Sequence, residues 1–171
     1  MKKNFRLLTK KTWAVVICTF FSCLFLSTAQ AQTERTFENA GTTEWQVPTN
    51  VTQITIETWG AGGAGGATQM ESGILGIPNQ RPAGGGGGGA YAKSTISVTP
   101  GEILNITVGR GGENSNGTAR DGENSSVKRG TTPLVEAEGG KSVGGINTLT
   151  GAQGGKASNS IGDVMYSGGN G

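Results

Sequence analysis

The residues of this chain that could do chemistry are few, and the first set is a glycine fingerprint that follows a strand-like run. Gly60, Gly62 and Gly65 have the GxGxxG spacing with which dinucleotide-binding loops approach a pyrophosphate. In such loops a helix begins within the glycines. Residues 67–78 contain two further glycines, end in a proline and lack helical periodicity, so we interpret the spacing as a chance match.

Acidic and amide side chains form two further candidate sites. Asp121, Glu123 and Asn124 offer oxygen ligands for calcium, but their spacing is not that of an EF-hand loop. A turn in which asparagine and serine cap the backbone is the favoured interpretation. Glu136 and Glu138 could form a glycosidase pair on one strand face, yet the flanking residues offer no aromatic cleft. A solvated strand edge therefore explains them better.

Two short motifs are typical of phosphate and nucleic-acid binding, and neither is complete. Gly140-Lys141-Ser142 resembles the end of a P-loop, whose first glycine would fall at Val135. Arg110-Gly111-Gly112 is a single RGG, whereas nucleic-acid-binding segments use many copies with aromatic residues between them. We therefore expect a turn at residues 110–112 and no nucleic-acid partner.

Composition argues against an enzyme. The chain has no histidine, and its two cysteines, Cys18 and Cys23, lie near the N-terminus. Histidine is the commonest general base and metal ligand. A hydrolase would also need a nucleophile elbow, which is missing from the sequence. We predict no catalytic residues, no cofactor and no metal site.

Residues 1–31 have the features of a Sec-type signal peptide. Basic residues are followed by an uncharged, mostly apolar run at 13–26, and Ala29 and Ala31 supply a cleavage site. The run is shorter than the about 20 residues of a membrane helix, so no stable membrane span is expected after cleavage. Cleavage before Cys23, as in a lipoprotein, is the less favoured alternative because the apolar run continues beyond it.

Removal of the signal peptide would change the charge of the protein. The full chain has a formal net charge of +2. Five basic residues and no acidic residue lie within 1–31, so residues 32–171 are net acidic. A basic surface for nucleic acid is not predicted.

Residues 32–171 are predicted to form one glycine-rich, all-β domain. Alternating residues predict a small β-sandwich, and Ile54 and Ile56 are expected on its core face. Residues 91–98 and 103–108 are predicted to pair as a β-hairpin. Residues 60–90 form a long glycine-rich excursion without a predicted element. The predicted strands are 35–37, 42–47, 51–59, 91–98, 103–108, 126–128, 134–137 and a last apolar cluster at 164–166.

The glycines allow two interpretations. Of the 32 glycines, only Gly41 precedes Gly60. Glycine runs are either flexible linkers or extended left-handed helices, with three residues per turn, that bond to one another laterally. Glycines three apart favour such polyglycine-II helices, but the pattern leaves both interpretations open. The predicted structural glycines are Gly60, Gly63, Gly66, Gly84, Gly87, Gly109, Gly112, Gly139 and Gly140.

Four segments carry a resemblance to a known family. In order, they are ITIETWGAGGAGG (54–66), GGGGGGAYAKSTISVTPGEILNITVG (84–109), DGENSSV (121–127) and EGGKSVGG (138–145). They resemble the glycine-rich domain of bacterial secreted and surface proteins, and are similar to glycine-rich regions of phage tail adhesins and anaplastic-lymphoma-kinase-type receptors. The resemblance runs from about Thr36 to the C-terminus.

The resemblance implies a β-sandwich decorated with polyglycine helices, in an extracellular bacterial module without catalytic residues. Similar proteins often carry a C-terminal sorting domain. The present sequence stops at Gly171 without a closing element, which suggests part of a longer architecture.

Two functions follow as hypotheses. The first is a non-enzymatic, secreted or cell-surface structural or adhesive module. The alternative is a carbohydrate- or surface-binding module in which Trp45, Trp59 or Tyr91 stacks on sugar rings, with surface glycans or other surface proteins as partners. The first is favoured because aromatic residues in a chain with so few are more often part of the core.

Overall fold

The structure is a computed structural model that describes residues 33–72, 78–80 and 82–171. The predicted signal peptide (1–31) and the Gly73–Ile77 stretch of the glycine-rich excursion lie outside the described residues. By its contacts the chain divides into two units, Met1–Thr36 and Phe37–Gly171. All elements described below belong to the second unit.

The described residues are organised as antiparallel β-strands. A single 3-10 turn, Ala157–Asn159, is the only helical element among them, and in this part of the chain no helix is long and apolar enough to cross a membrane. The strands are β1 (Gly41–Gln46), β2 (Gln53–Trp59), β3 (Met70–Ser72), β4 (Pro78–Gln80), β5 (Tyr91–Ser97), β6 (Ile103–Val108), β7 (Glu113–Ser115), β8 (Thr118–Arg120), β9 (Ser125–Arg129), β10 (Thr132–Ala137) and β11 (Val164–Tyr166).

Two sheets face each other. One has four strands in the order β1-β6-β9-β10, and the other has three in the order β11-β5-β2. Strand β10 of the larger sheet contacts β5 and β2 of the smaller one. Two small hairpins, β3-β4 and β7-β8, lie outside these sheets. The predicted all-β sandwich with long glycine-rich connections is therefore confirmed.

A small apolar core fills the space between the sheets. In β2 Ile56 is buried and Ile54 packs against the core, while Thr55 between them faces outward. This is the face predicted from the alternation of apolar and polar residues. The buried members of the core are Val47, Ile56, Ala92, Val98, Leu104, Val127, Val135 and Ala137.

The predicted hairpin of residues 91–98 with 103–108 is wrong. Strand β5 pairs with β2 and β11, and β6 pairs with β1 and β9, so the two belong to different sheets. The turn between them does form: Glu102 N–H donates to the Thr99 carbonyl at 3.0 Å, and Gly101 has a φ of +82°. Ala92 and Leu104 are both buried in the same core, which β5 and β6 cover from opposite sides. The alternation of apolar and polar residues specifies which face of a strand is buried, but not which other strand it pairs with.

Three local features also differ from the sequence prediction. Residues 35–37 form no strand. The excursion at 60–90 contains the β3-β4 hairpin, and the β7-β8 hairpin was not predicted. The turn of β7-β8 is Asn116-Gly117, with φ values of 52° and 84°, a pair that type I′ hairpin turns strongly prefer. That signal was present in the sequence.

Two neighbouring residues of β6 allow the contribution of the core to stability to be predicted and tested. Leu104 is fully buried, whereas Ile103 is 52% exposed. We expect Leu104→Ala to lower the free energy of unfolding by about 2–5 kcal/mol, because it leaves a cavity in the sandwich. Ile103→Ala, the matched control, should change it by about 0.5 kcal/mol or less. Urea denaturation measures both, and equal losses would contradict the described core.

Candidate functional site

The glycine-rich connections pack together through their backbones. We call this assembly the glycine bundle. It consists of residues 60–66, 84–90, 109–112, 121–124, 138–144, 151–155 and 168–171. None of its glycines has a positive φ. The bundle therefore does not use glycine for left-handed turns, and the reason for glycine must lie in packing.

The first two segments of the bundle run antiparallel and bond at every third residue. The amides of Gly60, Gly63 and Gly66 donate to carbonyl oxygens of 84–90 that are also three residues apart, at 2.9, 2.8 and 2.9 Å. Three residues per turn is the repeat of an extended polyglycine-type helix, which has no internal hydrogen bonds and bonds only to its neighbours. The glycine runs are therefore ordered by lateral bonding.

Segment 138–144 repeats this pattern on another side of the first helix. The amides of Gly140 and Val143 donate to the carbonyls of Ala61 and Ala64 at 2.8 and 2.9 Å. Because the residue numbers rise together, these two segments run parallel. One extended helix thus has separate neighbours on different faces, which a flat strand does not.

Within the bundle, residues 151–155 connect segment 84–90 with segment 168–171. The amides of Ala152 and Gly155 donate to residues of 84–90 at 3.0 and 2.9 Å. Their carbonyls accept the amides of Gly171 and Gly168 at 2.9 and 2.8 Å. The step is again three residues, so the described C-terminal residues are part of the same ordered array.

Close approach of backbones explains why these residues are glycine. A Cβ atom built on Gly60, Gly63 or Gly87 would lie 2.0 Å from a carbonyl oxygen of a neighbouring segment. All nine glycines that the sequence singles out have another heavy atom within 3.0 Å of such a Cβ position. The sequence missed others with the same contacts, namely Gly86, Gly89, Gly122, Gly151, Gly154, Gly155, Gly168 and Gly171.

The three candidate calcium ligands lie in bundle segment 121–124, and each accepts a hydrogen bond from a different backbone amide of the bundle. Asp121 Oδ1 accepts the Ser142 amide at 2.8 Å, and Glu123 Oε2 accepts the Arg110 amide at 3.0 Å. Asn124 Oδ1 accepts the Gly139 amide at 3.0 Å. Their oxygens thus satisfy backbone amides, and within the described ranges no group of three His, Cys, Asp or Glu residues could hold a metal ion.

The two candidate glycosidase carboxylates have structural partners as well. Glu136 Oε1 accepts a hydrogen bond from Asn124 Nδ2 at 2.7 Å. Glu138 Oε1 accepts one from Asn159 Nδ2 at 2.9 Å. Both residues are half-buried, and Ile161 pairs with the backbone of Glu136 at the edge of β10. The expected solvated strand edge is therefore wrong, because later segments of the chain cover it.

The residues of the incomplete phosphate motif link two segments of the bundle. Ser142 Oγ accepts the Ala64 amide at 2.7 Å and donates to the Arg120 carbonyl at 2.7 Å. Lys141 Nζ pairs with Asp121 Oδ2 at 3.0 Å. The hydrogen bond from the Ser142 amide, followed by the contact with Lys141, lowers the pKa of the Asp121 carboxyl.

A row of exposed aromatic rings crosses the outer face of the smaller sheet. We call Trp59, Tyr91 and Tyr166 the aromatic row; they lie on β2, β5 and β11, and the strand register places Tyr91 opposite both others. The Trp59 and Tyr91 ring centroids are 5.3 Å apart at 55°. Those of Tyr91 and Tyr166 are 6.0 Å apart at 21°. Trp59 and Tyr166 are 62% and 63% exposed.

The aromatic row contains two of the three aromatic residues predicted as ligand contacts. Trp45 is not part of it, because it lies on β1 of the other sheet and packs against the core. Tyr166 was missed, since β11 is only three residues long and its short apolar cluster gave no periodicity. Only the pairing of β11 with β5 reveals its position.

Polar side chains lie beside the aromatic row on the same face. Lys93 Nζ pairs with Glu57 Oε1 at 2.8 Å, and the hydroxyls of Thr55 and Thr95 are 2.9 Å apart. The Lys93 hydrogen bond lowers the pKa of Glu57. Burial, followed by a hydrogen bond to Glu57, raises the pKa of Tyr91.

An antiparallel sandwich whose strands run into laterally bonded glycine helices defines the class of this protein as a glycine-rich β-domain. A family model described as "Glycine-rich domain" matches residues 36–171. The chain therefore belongs to the glycine-rich domain family. Comparison with curated proteins and with solved structures found no significant match.

The bundle predicts opposite effects for two adjacent glycines. A Cβ on Gly63 would lie 2.0 Å from the Lys141 carbonyl oxygen, whereas one on Gly62 would have its nearest neighbour at 3.8 Å. Gly63→Ala should destabilise the protein by about 2–4 kcal/mol, because overpacking costs about 1–3 kcal/mol and a displaced hydrogen bond about 1 kcal/mol.

Gly62→Ala is the matched control for this change. It should be neutral or stabilising by up to about 1 kcal/mol, because alanine restricts the unfolded chain. Thermal or urea unfolding of the two variants beside the wild type measures the difference. Equal effects at both positions would show that the segments do not approach each other as described.

Asp121 predicts a dependence of stability on pH. Its pKa is lower in the folded state, so its contribution is complete above the unfolded pKa of about 3.9 and is lost as the pH falls through the folded value. Asp121→Asn should therefore be less stable than the wild type at pH 7, with a difference that shrinks as the pH falls below about 4. Urea denaturation from pH 7 to 2 measures this, with exposed Asp163→Asn as the control. A difference that stays constant with pH would contradict it.

Proposed function

We propose that this protein is a non-enzymatic structural or adhesive module, secreted or held at a bacterial cell surface. The observation that supports this function is the three-residue repeat of backbone hydrogen bonds in the glycine bundle. A segment bonded on several faces cannot bend without breaking bonds to several neighbours. The bundle is therefore a rigid support, and its rigidity requires neither disulfides nor metal.

The β7-β8 hairpin is firmly attached to the bundle. Asn114 Nδ2 donates to the carbonyls of Gly65 and Val143, at 3.2 and 2.6 Å. The Gly145 amide donates to the Gly117 carbonyl at 2.8 Å. The hairpin is thus held to two bundle segments, which suits a module that displays turns in fixed positions.

Export of the protein is part of this proposal. It is supported by the basic segment, the apolar segment and the small residues Ala29 and Ala31 of residues 1–31. The resemblance to glycine-rich domains of bacterial secreted proteins and phage tail adhesins agrees with an extracellular location. In this environment a fold held by backbone hydrogen bonds is independent of redox conditions.

Amide hydrogen exchange tests the rigid-scaffold function. We expect the amides of Gly60, Gly63 and Gly66 to exchange at least about a hundredfold more slowly than in an unstructured peptide, because opening requires the segments to separate. Exchange of the intact protein, resolved by NMR or by fragment mass spectrometry, measures this. Exchange at unstructured rates across residues 60–67 and 84–89 would show a flexible linker and overturn the proposal.

A second function, recognition of a surface glycan or surface protein, is favoured by the aromatic row. Large apolar residues that are mostly exposed and adjacent form a patch of the kind that marks interaction sites. The row lies where three strands enter the bundle, so recognition and scaffolding would use the same rigid frame. The two functions are compatible, since neither requires movement of the other's residues.

A further inference from the structure

The aromatic row lies at the junction between the smaller sheet and the glycine bundle. Trp59 precedes segment 60–66, Tyr91 follows 84–90, and Tyr166 lies shortly before 168–171. The Gly60 amide donates to the Ala90 carbonyl at 2.9 Å directly beside the row. The backbone that carries the rings is therefore held by strand pairing on one side and by bundle bonds on the other, so no backbone has to be ordered on binding.

The rings leave part of their faces open. Tyr91 and Tyr166 are nearly parallel, at 21°, but their centroids are 6.0 Å apart. Trp59 is tilted by 55° to Tyr91, so the three rings do not form one flat surface. Trp59 and Tyr166 at the two ends are more than half exposed. Separate rings of one extended ligand could therefore stack on Trp59 and on Tyr166.

Hydrogen-bonding groups of both kinds accompany the rings. Next to the row lies the Glu57–Lys93 pair, followed by the hydroxyls of Thr55 and Thr95. Carboxylate oxygens accept hydrogen bonds, the ammonium donates them, and hydroxyls do both. The charges of the ion pair cancel, so this face does not select for an anionic or a cationic ligand. The combination of open rings with neutral but polar neighbours fits a ligand with apolar faces and a rim of hydroxyl groups.

We infer that the aromatic row binds a neutral oligosaccharide, with pyranose rings stacked on Trp59 and Tyr166 and their hydroxyls bonded to Glu57 and Lys93. This inference rests on the second function proposed above and specifies its ligand and site. A second copy of the chain fits less well. A stable protein interface buries about 800 Å² on each partner, whereas the row has three rings, and its border holds the charged pair beside a single exposed apolar residue, Val164.

Binding of soluble oligomers to the exported protein tests the inference. The probes are a neutral beta-linked glucose hexamer, a neutral N-acetylglucosamine hexamer and an acidic uronic-acid hexamer, each titrated by calorimetry. We expect a neutral probe to bind and both Trp59→Ala and Tyr166→Ala to weaken it by at least about tenfold, because each change removes a stacking surface. Leu149→Ala is the control, since Leu149 is 69% exposed but lies outside the row.

The variants must retain the fold, which circular dichroism and thermal unfolding check. Binding of the uronic-acid probe alone would overturn the neutral ligand but leave surface recognition in place. Absence of all binding, or binding unchanged in both variants, would overturn the glycan site, and recognition of a surface protein would then be the form of the second function still to be tested. A wild-type dimer in sedimentation that becomes monomeric in Trp59→Ala would assign the row to a second copy and overturn the inference. Amide exchange tests the scaffold separately from all these outcomes.

Discussion

The lateral hydrogen bond between extended glycine segments is the interaction on which the rest of this molecule depends. Glycine costs about 0.5–1 kcal/mol more than alanine to order within a regular element. A net backbone hydrogen bond returns about 0.5–1.5 kcal/mol. A bond at every third residue alone does not offset this cost, so each segment needs bonding neighbours on more than one face, as Ala61 has in Glu123. Close approach in turn excludes side chains from the contact faces. The close packing therefore requires glycine at these positions, and the glycine-rich segments become ordered only when they are packed closely.

The sandwich and the bundle form one continuous structure, and the bundle is not a set of loops attached to a separate core. The strands β2 and β5 continue directly into bundle segments, so the sheet register determines where those segments begin. Polar side chains complete the array at places where glycine carbonyls do not reach, as Asp121 and Asn124 do. Residues that could be interpreted as ligands or catalysts in isolation are instead bonded to backbone amides. The apolar core can stay small because much of the order comes from backbone pairing.

The sequence predicted the features that depend on a local pattern of residues. Alternation identified the buried face of β2, with Ile54 and Ile56, and the three-residue spacing of Gly60, Gly63 and Gly66 suggested extended helices. It failed where the answer depended on distant residues. The partners of β5 and β6 were wrong, and Tyr166 joined the aromatic row only through strand pairing. Within Gly84–Gly89 no side chain marks a face, so the sequence cannot show which of these glycines approach a neighbour.

The order in which the bundle segments occur along the chain has a consequence for folding kinetics. Segment 84–90 bonds to the early segment 60–66 and also to residues near 141, 152 and 169. Loop-closure entropy must be lost before such distant pairs form, so topologies of this kind fold slowly. The bundle also cannot be completed before its last segment has been synthesised. Residues 85, 88, 152 and 155 therefore reach their full bonding only after residues 168–171 are present, and the complete array resists opening because no segment can leave without releasing several neighbours.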